Sequence, residues 1–364
     1  MTILYVTDAF AVCGGIERVL ADKMNYLTEQ YGYEVVLITV NQGMHAIPFS
    51  LIPQIKHVDL DVRMHQQYQY SGIRRLLKRR QLASLLSKKM RSALWQANAD
   101  VVVCAKLDFV GVLNKIRGSG PLVVESHTLC RADQIEYSGW LRKLHVRCFK
   151  HHVGKVDRVV ALTNGDTKDW HGYNRNVCTI PNIVHLNTSG TFSMHDEKRV
   201  MFVGRYTKQK DINSLICIWE IVHQRHPDWI LEIYSDGEIE APGVQVFKPV
   251  ANIMEQYRRN SMLLLTSVYE PFGLVLPEAM SCGLPVVSFD CPYGPADIIT
   301  DGVDGFLIKN RDILAFADRV CQLIEDKELR LRMGQAAVKS AQRYRADVIM
   351  PKWKELFEHL CRKE

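Results

Sequence analysis

The sequence predicts an α/β protein of two doubly wound, Rossmann-like domains with a cleft between them, on three observations. Its 364 residues exceed one ordinary domain and suit two of about 150 to 200 residues each. Short apolar runs alternate with amphipathic helical stretches, the rhythm of a parallel sheet with right-handed crossovers. That rhythm stops in a polar, patternless segment from Leu186 to Lys198, "LNTSGTFSMHDEK", and then starts again.

The elements follow in order. In the first half "ILYVT" (3 to 7), "EVVLITV" (34 to 40), "DVVVCA" (100 to 105), "PLVVESH" (121 to 127) and "RVVALT" (158 to 163) read as strands. Between the first two lies the amphipathic "IERVLADKMNYLTE" (16 to 29). The second half offers "RVMFVGR" (199 to 205), a helix near 211 to 226, "WILEIYS" (229 to 235), "SMLLLTS" (261 to 267), "LPVVSFD" (284 to 290) and closing helical stretches. The expected division is a first domain at 1–186, a linker at 187–198, a second domain at 199–345 and a final helix at 346–364 that packs back on the first domain.

Composition excludes several classes. With 47% hydrophobic and 24% charged residues the chain is ordinary for a globular protein, and no apolar run approaches the roughly 18 residues that span a bilayer. "MTILYVTDAF" lacks the basic start of a signal peptide and reads as a buried strand. Ten cysteines are scattered without metal-finger spacing, as in a reduced, cytoplasmic protein. Between Asp61 and Asp100 there is no acidic residue, while Arg63, Arg74, Arg75, Lys78, Arg79, Arg80, Lys88, Lys89 and Arg91 are basic. Ile73, Leu76, Leu77, Leu82, Leu85, Leu86, Met90 and Leu94 place an apolar stripe beside that charge on one helix. Residues 73–94 therefore read as a packed surface helix or as an interfacial helix on anionic lipid at the inner face of the plasma membrane. Nucleic acid is not expected, because no stacking aromatics or binding motif accompany the charges.

Ligands of doubly wound sheets bind beyond the carboxyl ends of the strands. The residues there are Gly14 and Gly15, His127, Thr163, Gly204, Arg205 and Glu270. In "AVCGGIERV" the paired glycines let backbone N–H groups approach an anion at a helix start, although a plain tight turn fits as well. "FVGRYTKQKDI" supplies Arg205 and Lys210, two cations that suit a diphosphate, Arg by a forked contact and Lys as a point charge. No acidic metal motif lies nearby, which favours side-chain cations over a metal ion. Asp59 and Asp61 have a chelating spacing but sit in a loop-like stretch away from the strand ends.

The stretch "YEPFGLVLPEAMSCGLPVV" (269 to 287) holds two glutamates in an otherwise apolar run. Pro277 belongs in a first helical turn, so a helix should begin near Gly273, with the free amides of Phe272, Gly273 and Leu274 at its positive end. Glu270 and Glu278 would repel a diphosphate there and should bind hydroxyls instead. A helix start that favours acids explains one glutamate better than two.

These motifs, with "GRYTKQK" upstream and "DGVDGFLI" downstream, resemble the retaining family-4 glycosyltransferases of GT-B fold, with their E-x7-E signature. The resemblance implies that Glu270 reads the donor sugar, Glu278 holds the ribose, Arg205 and Lys210 balance the diphosphate with Gly14, Gly15 and the amides of Phe272 to Leu274, and His127 lies by sugar and acceptor. It implies a nucleotide-sugar donor, no tightly bound cofactor and no metal. "CPYGPADII" (291 to 299) resembles members that extend bacterial surface polysaccharides, lipopolysaccharide or capsule, from UDP-sugars onto glycan or lipid-linked acceptors. One departure is "YSDGE" (234 to 238), where many members carry a Gly-rich turn; it leaves the nucleoside contacts there and around "KPVANI" (248 to 253) open. A UDP-sugar epimerase or hydrolase, or a lipid- or partner-binding protein with a decayed sugar site, remain as alternatives. Acceptor choice is expected in loops 41–75 and 128–150.

Overall fold

The computed structural model describes residues 1–12, 14–131, 147, 150–250 and 252–362, and the chain divides into two compact units. Unit 1 comprises Met1–Leu162, Asp166–Ile183 and Ile349–Glu364. Its chain runs β1 (Thr2–Thr7), α1 (Gly15–Tyr31), β2 (Glu34–Thr39), β3 (Lys56–Asp59), α2 (Gly72–Ala97), β4 (Val101–Cys104), α3 (Val110–Ile116), β5 (Leu122–Glu125), β6 (Arg158–Ala161), α4 (Asn164–Trp170) and β7 (Val177–Thr179). All strands are parallel, in the order β3-β2-β1-β4-β5-β6-β7. The central strands are apolar on both faces because helices cover both, which is why they read as continuous apolar runs. Gly32 stops α1 in the left-handed region at φ 65°, the geometry glycine adopts without a Cβ penalty.

The basic helix α2 divides the two readings of its apolar stripe. Leu82, Leu86 and Met90 are buried in the core of unit 1, while Ile73, Leu76 and Leu77 in its first turns are exposed. Its C-terminal half is thus a packed helix, and its N-terminal half presents uncovered apolar side chains among Arg74, Arg75, Lys78, Arg79 and Arg80. The loop 128–150 expected to select the acceptor lies mostly outside the described residues.

Unit 2 comprises Thr163–Gly165 and Val184–Val348. It runs β8 (Arg199–Val203), α5 (Ile212–Arg225), β9 (Ile230–Tyr234), β10 (Val244–Phe247), α6 (Ile253–Arg258), β11 (Met262–Leu265), α7 (Val275–Ser281), β12 (Val286–Phe289), α8 (Gly294–Ile298), β13 (Gly305–Ile308), α9 (Ile313–Glu325) and α10 (Lys327–Ala341). The strands are again parallel, ordered β10-β9-β8-β11-β12-β13, so the order reverses between β8 and β11. That reversal is where doubly wound sheets bind ligands. The polar segment 187–198 is stitched into this unit: the Ser193 amide donates to the Cys282 carbonyl at 2.9 Å, its hydroxyl donates to the Asn260 carbonyl at 2.6 Å, and His195 is buried. The closing helix α11 (Ala346–Cys361) belongs from Ile349 onward to unit 1, where it buries Ile349, Trp353 and Phe357.

Candidate functional site

The carboxyl ends of β8 and β11 carry the chemistry of unit 2. After β8 the chain turns at Gly204, whose amide donates to the Tyr234 carbonyl at 3.1 Å. A Cβ at Gly204 would stand 3.3 Å from the Lys210 side chain, so the glycine lets Lys210 lie across the turn. The loop is tied to the segment after β11 by a bond from the Val268 amide to the Gln209 carbonyl (2.7 Å), one from Gln209 Nε2 to the Tyr269 carbonyl (3.0 Å) and one from Thr266 Oγ1 to the Lys210 carbonyl (3.0 Å). Asp211, in the left-handed region at φ 47°, caps α5 through Ser214 and pairs with Arg311. The route of the backbone from Gly204 to Asp211 is therefore fixed before any ligand arrives.

Lys210 and Glu270, sixty residues apart, meet as an ion pair. Glu270 is nearly buried, and both of its side-chain hydrogen bonds land on Oε1, from Lys210 Nζ and from Ser267 Oγ at 2.7 Å. Oε2 has no hydrogen-bond donor among the described residues. The backbone is locked as well: the Glu270 amide donates to the Pro292 carbonyl at 2.7 Å, and its carbonyl accepts from Tyr293 and Gly294 at 2.9 Å each. A Cβ at Gly294 would fall 1.8 Å from the Phe272 carbonyl oxygen, so only glycine fits there. The Cys291 thiol beside this site is pushed up, by burial first and by the Glu270 charge second.

Gly273, at φ 92°, turns the chain into α7, which begins at Val275, two residues past the start expected near Gly273. The two-residue delay arises because a positive φ is incompatible with a right-handed helix. The amides of Phe272, Gly273 and Leu274 make no hydrogen bond among the described residues. Glu278 sits in the first turn of α7, nearly buried, with Tyr257 Oη donating to its Oε2 at 3.2 Å. Arg205 is exposed and forms no hydrogen bond or ion pair among the described residues. The divergent "YSDGE" turn is a packed one: Asp236 Oδ1 accepts from the Tyr206 amide at 2.6 Å, and a Cβ at Gly237 would strike the Tyr206 ring at 2.4 Å. Beyond it Tyr234 stacks on Phe247 at 5.1 Å, and burial with the neighbouring Glu232 raises its phenol to about 12.

Gly14, Gly15 and His127 belong to unit 1. Gly15 opens α1, and a Cβ at Gly14 would lie 2.4 Å from the Glu17 carboxylate, which folds back over the turn. His127 follows β5, and its Nε2 stands 3.2 Å from Glu125 Oε1. The other oxygen of Glu125 accepts from Lys23 of α1 at 2.5 Å. Lys23 and Glu125 are each 1% exposed. Burial acts to raise the Glu125 carboxyl, but Lys23 and then His127 outweigh it and hold it near about 2. Burial lowers the Lys23 ammonium against the opposing pull of Glu125. Thr163 is buried.

The DxD spacing turns out to serve the protein. Asp59 accepts from Thr39 Oγ1 at 3.0 Å, the Gln42 amide at 3.1 Å and the Gly43 amide at 3.0 Å, while Asp61 binds Arg63 at 2.7 and 3.0 Å. No group of three or more His, Cys, Asp or Glu side chains suited to a metal occurs among the described residues. Nor is any helix among them long and apolar enough to cross a membrane. Sequence reasoning missed Ser267, Tyr257 and Lys23. Ser267 lies three residues before Glu270, whereas nothing local marks Tyr257 or Lys23.

Two parallel doubly wound sheets, with an ion-paired glutamate at the strand reversal of the second, define the frame of a GT-B glycosyltransferase, and the comparisons agree. Residues 13–188 match the model of Glycosyltransferase Family 4, and residues 190–340 that of Glycosyl transferases group 1. The chain belongs to these glycosyltransferases. It is 28% identical over 378 residues to the amylovoran biosynthesis glycosyltransferase AmsD of Erwinia amylovora, covering 97% of this chain and 99% of the relative. Among solved structures it resembles a TarM mutant of S. aureus in complex with fondaparinux, α-GlcNAc-glycerol and UDP, with a TM-score of 0.79, 16% identity and coverage of 98% and 99%. It also resembles HepE of Anabaena in complex with UDP-glucose, with a TM-score of 0.75, 18% identity and coverage of 99% and 100%. At those identities the structures speak to the fold.

Proposed function

We propose that the protein transfers a hexose from a UDP-sugar to an acceptor hydroxyl of a cell-surface glycan, with retention at the anomeric carbon. The observation that carries this reading is Glu270. One of its oxygens is saturated by Lys210 and Ser267, while Oε2 and the amides of Phe272 to Leu274 that follow in the chain have no partner among the described residues. A carboxylate oxygen in that state accepts from a sugar hydroxyl, and the charge-assisted bond contributes roughly 1.5 to 3 kcal/mol. Lys210 spends one of its three donors on Glu270, leaving others for the diphosphate, and Arg205 forms no hydrogen bond or ion pair among the described residues. Together with the amides they stabilise the departing UDP, which is preorganised electrostatic catalysis. Glu278, steadied by Tyr257, holds the ribose. The acceptor attacks the face that the UDP leaves, the β-phosphate oxygen takes its proton, and His127 orients the sugar. Gly14 and Gly15 are assigned to the phosphates, with Glu17 having to swing away first. Unit 1 takes the acceptor and unit 2 the donor.

The relatives support the biological setting, since AmsD is an amylovoran biosynthesis enzyme and both structures hold UDP or a UDP-sugar. Glu270→Ala should lower UDP-hexose turnover at least a hundredfold while UDP still binds within about threefold; wild-type-like turnover would remove Glu270 from the sugar site. Retention is read from the anomeric NMR signal of the first product formed, and an inverted product would contradict it. The uncovered Ile73, Leu76 and Leu77 among five basic residues support an inner-membrane surface as a further partner, fitting a lipid-linked acceptor. Ile73→Ser with Leu77→Ser should weaken co-sedimentation with anionic vesicles. Equal binding to neutral vesicles by the unaltered protein would dispose of that partner.

A further inference from the structure

Lys23 and Glu125 are costly residues to bury, and the mechanism above leaves both without a task. They lie 102 residues apart in sequence, one on α1 and one at the end of β5, and meet at 2.5 Å inside unit 1. The ammonium is capped from the far end of the chain, standing 3.6 Å from the centre of the Trp353 ring on α11. Trp353 is itself 1% exposed, so the pair is sealed from solvent. A buried pair of this kind is weak as a source of stability, because taking two charges out of water offsets most of their attraction. Its geometry indicates a different use.

Glu125 presents one oxygen to Lys23 and turns the other to His127 Nε2 at 3.2 Å. Residues two apart at the end of a strand share one side of it, and "ESH" is the spacing that lets the carboxylate reach the ring. Nε2 is shut in and lies out of line for a full hydrogen bond, so a small rotation of the ring completes the contact. Nδ1 makes no hydrogen bond among the described residues. We propose that Lys23 and Glu125 are positioning residues for His127: Glu125, anchored by Lys23, holds the proton on Nε2, which leaves the Nδ1 lone pair to accept from a hydroxyl of the sugar or acceptor. A carboxylate behind an imidazole fixes the tautomer and the ring orientation in the same way behind metal-bound histidines. The proposal rests on the reading of His127 as a substrate-facing residue.

The test uses the full chain with 15N-labelled histidine, the His127 signals being identified by their loss in His127→Gln. In the wild type, at pH 8 and without any donor, Nε2 should carry the proton and Nδ1 should show the shift of an unprotonated nitrogen. A proton on Nδ1, or an even mixture of tautomers, would overturn the proposal. Replacing the pair together, Lys23→Met with Glu125→Leu, removes both charges and fills their volume, so the fold and UDP binding should survive. In that variant the tautomers should mix and kcat for transfer should fall at least tenfold, with KM for the donor little changed. An unchanged tautomer, or turnover equal to wild type, would show that the pair serves packing alone. Should the wild type bind no nucleotide, the donor reading fails while the tautomer measurement still decides this one.

Discussion

Each unit places a lysine and a glutamate in contact at the carboxyl end of its parallel sheet, and the two pairs behave differently. In unit 1 Lys23 and Glu125 are each 1% exposed and roofed by Trp353, with one carboxylate oxygen bonded to Lys23 and the other facing His127 Nε2 at 3.2 Å. In unit 2 the Lys210 side chain is 16% exposed, and one oxygen of Glu270 has no donor among the described residues. The residue types and contact are the same, so what separates the two pairs is access. A sealed pair can only position its neighbours, whereas a pair with one open side can exchange partners with a ligand.

That contrast is sharpest in single substitutions. Glu125→Leu by itself leaves a buried ammonium uncompensated and should cost about 3 to 5 kcal/mol of stability, read as a large fall in the denaturation midpoint. A midpoint close to wild type would mean that water reaches Lys23 and that the seal is not real. Lys210→Ala should do the reverse. Its stability loss is smaller, because water can enter from the open side of Glu270, while turnover falls by about a hundred- to a thousandfold through loss of a donor to the leaving diphosphate. Comparable losses of stability in the two variants would erase the distinction drawn between the pairs.

Acid tests the sealed pair. The folded-state pKa of Glu125 is depressed from 4.5 to about 2, so the folded protein binds fewer protons than the unfolded chain between those values. Its contribution is fully present above about pH 4.5 and is lost as pH falls through 2. The Lys23→Met with Glu125→Leu variant should therefore show a shallower decline of stability below pH 4.5 than the wild type. Parallel acid curves would show that other carboxylates dominate.

Much of this was readable from the chain. The central strands, the restart after Lys198 and the Glu270 to Glu278 segment stood out because burial on both faces produces apolar runs and because a local motif needs only local residues. The strands β3, β7, β10 and β13 did not, because all four lie at sheet edges, where β3, β7 and β10 are only partly buried and their apolar runs are broken. The stripe on α2 left open whether its turns are packed or uncovered, because periodicity reports one face of a helix and not what lies opposite it. Lys23 was invisible for another reason. On its own helix it looks like a solvated charge, and only the pairing of β5 with its neighbours brings Glu125 beneath it. Oε2 of Glu270 was likewise beyond sequence, since its openness depends on where Lys210 and Ser267 come to rest.

The central claim is that unit 2 holds a UDP-hexose through an accessible Lys210 and Glu270 pair. Titration calorimetry of the wild type with UDP, GDP and a small set of UDP-hexoses tests it most directly. The account predicts that UDP binds more tightly than GDP and that one hexose epimer is preferred over the others. Binding of no nucleotide, or equal affinity for every hexose and for UDP alone, would contradict it.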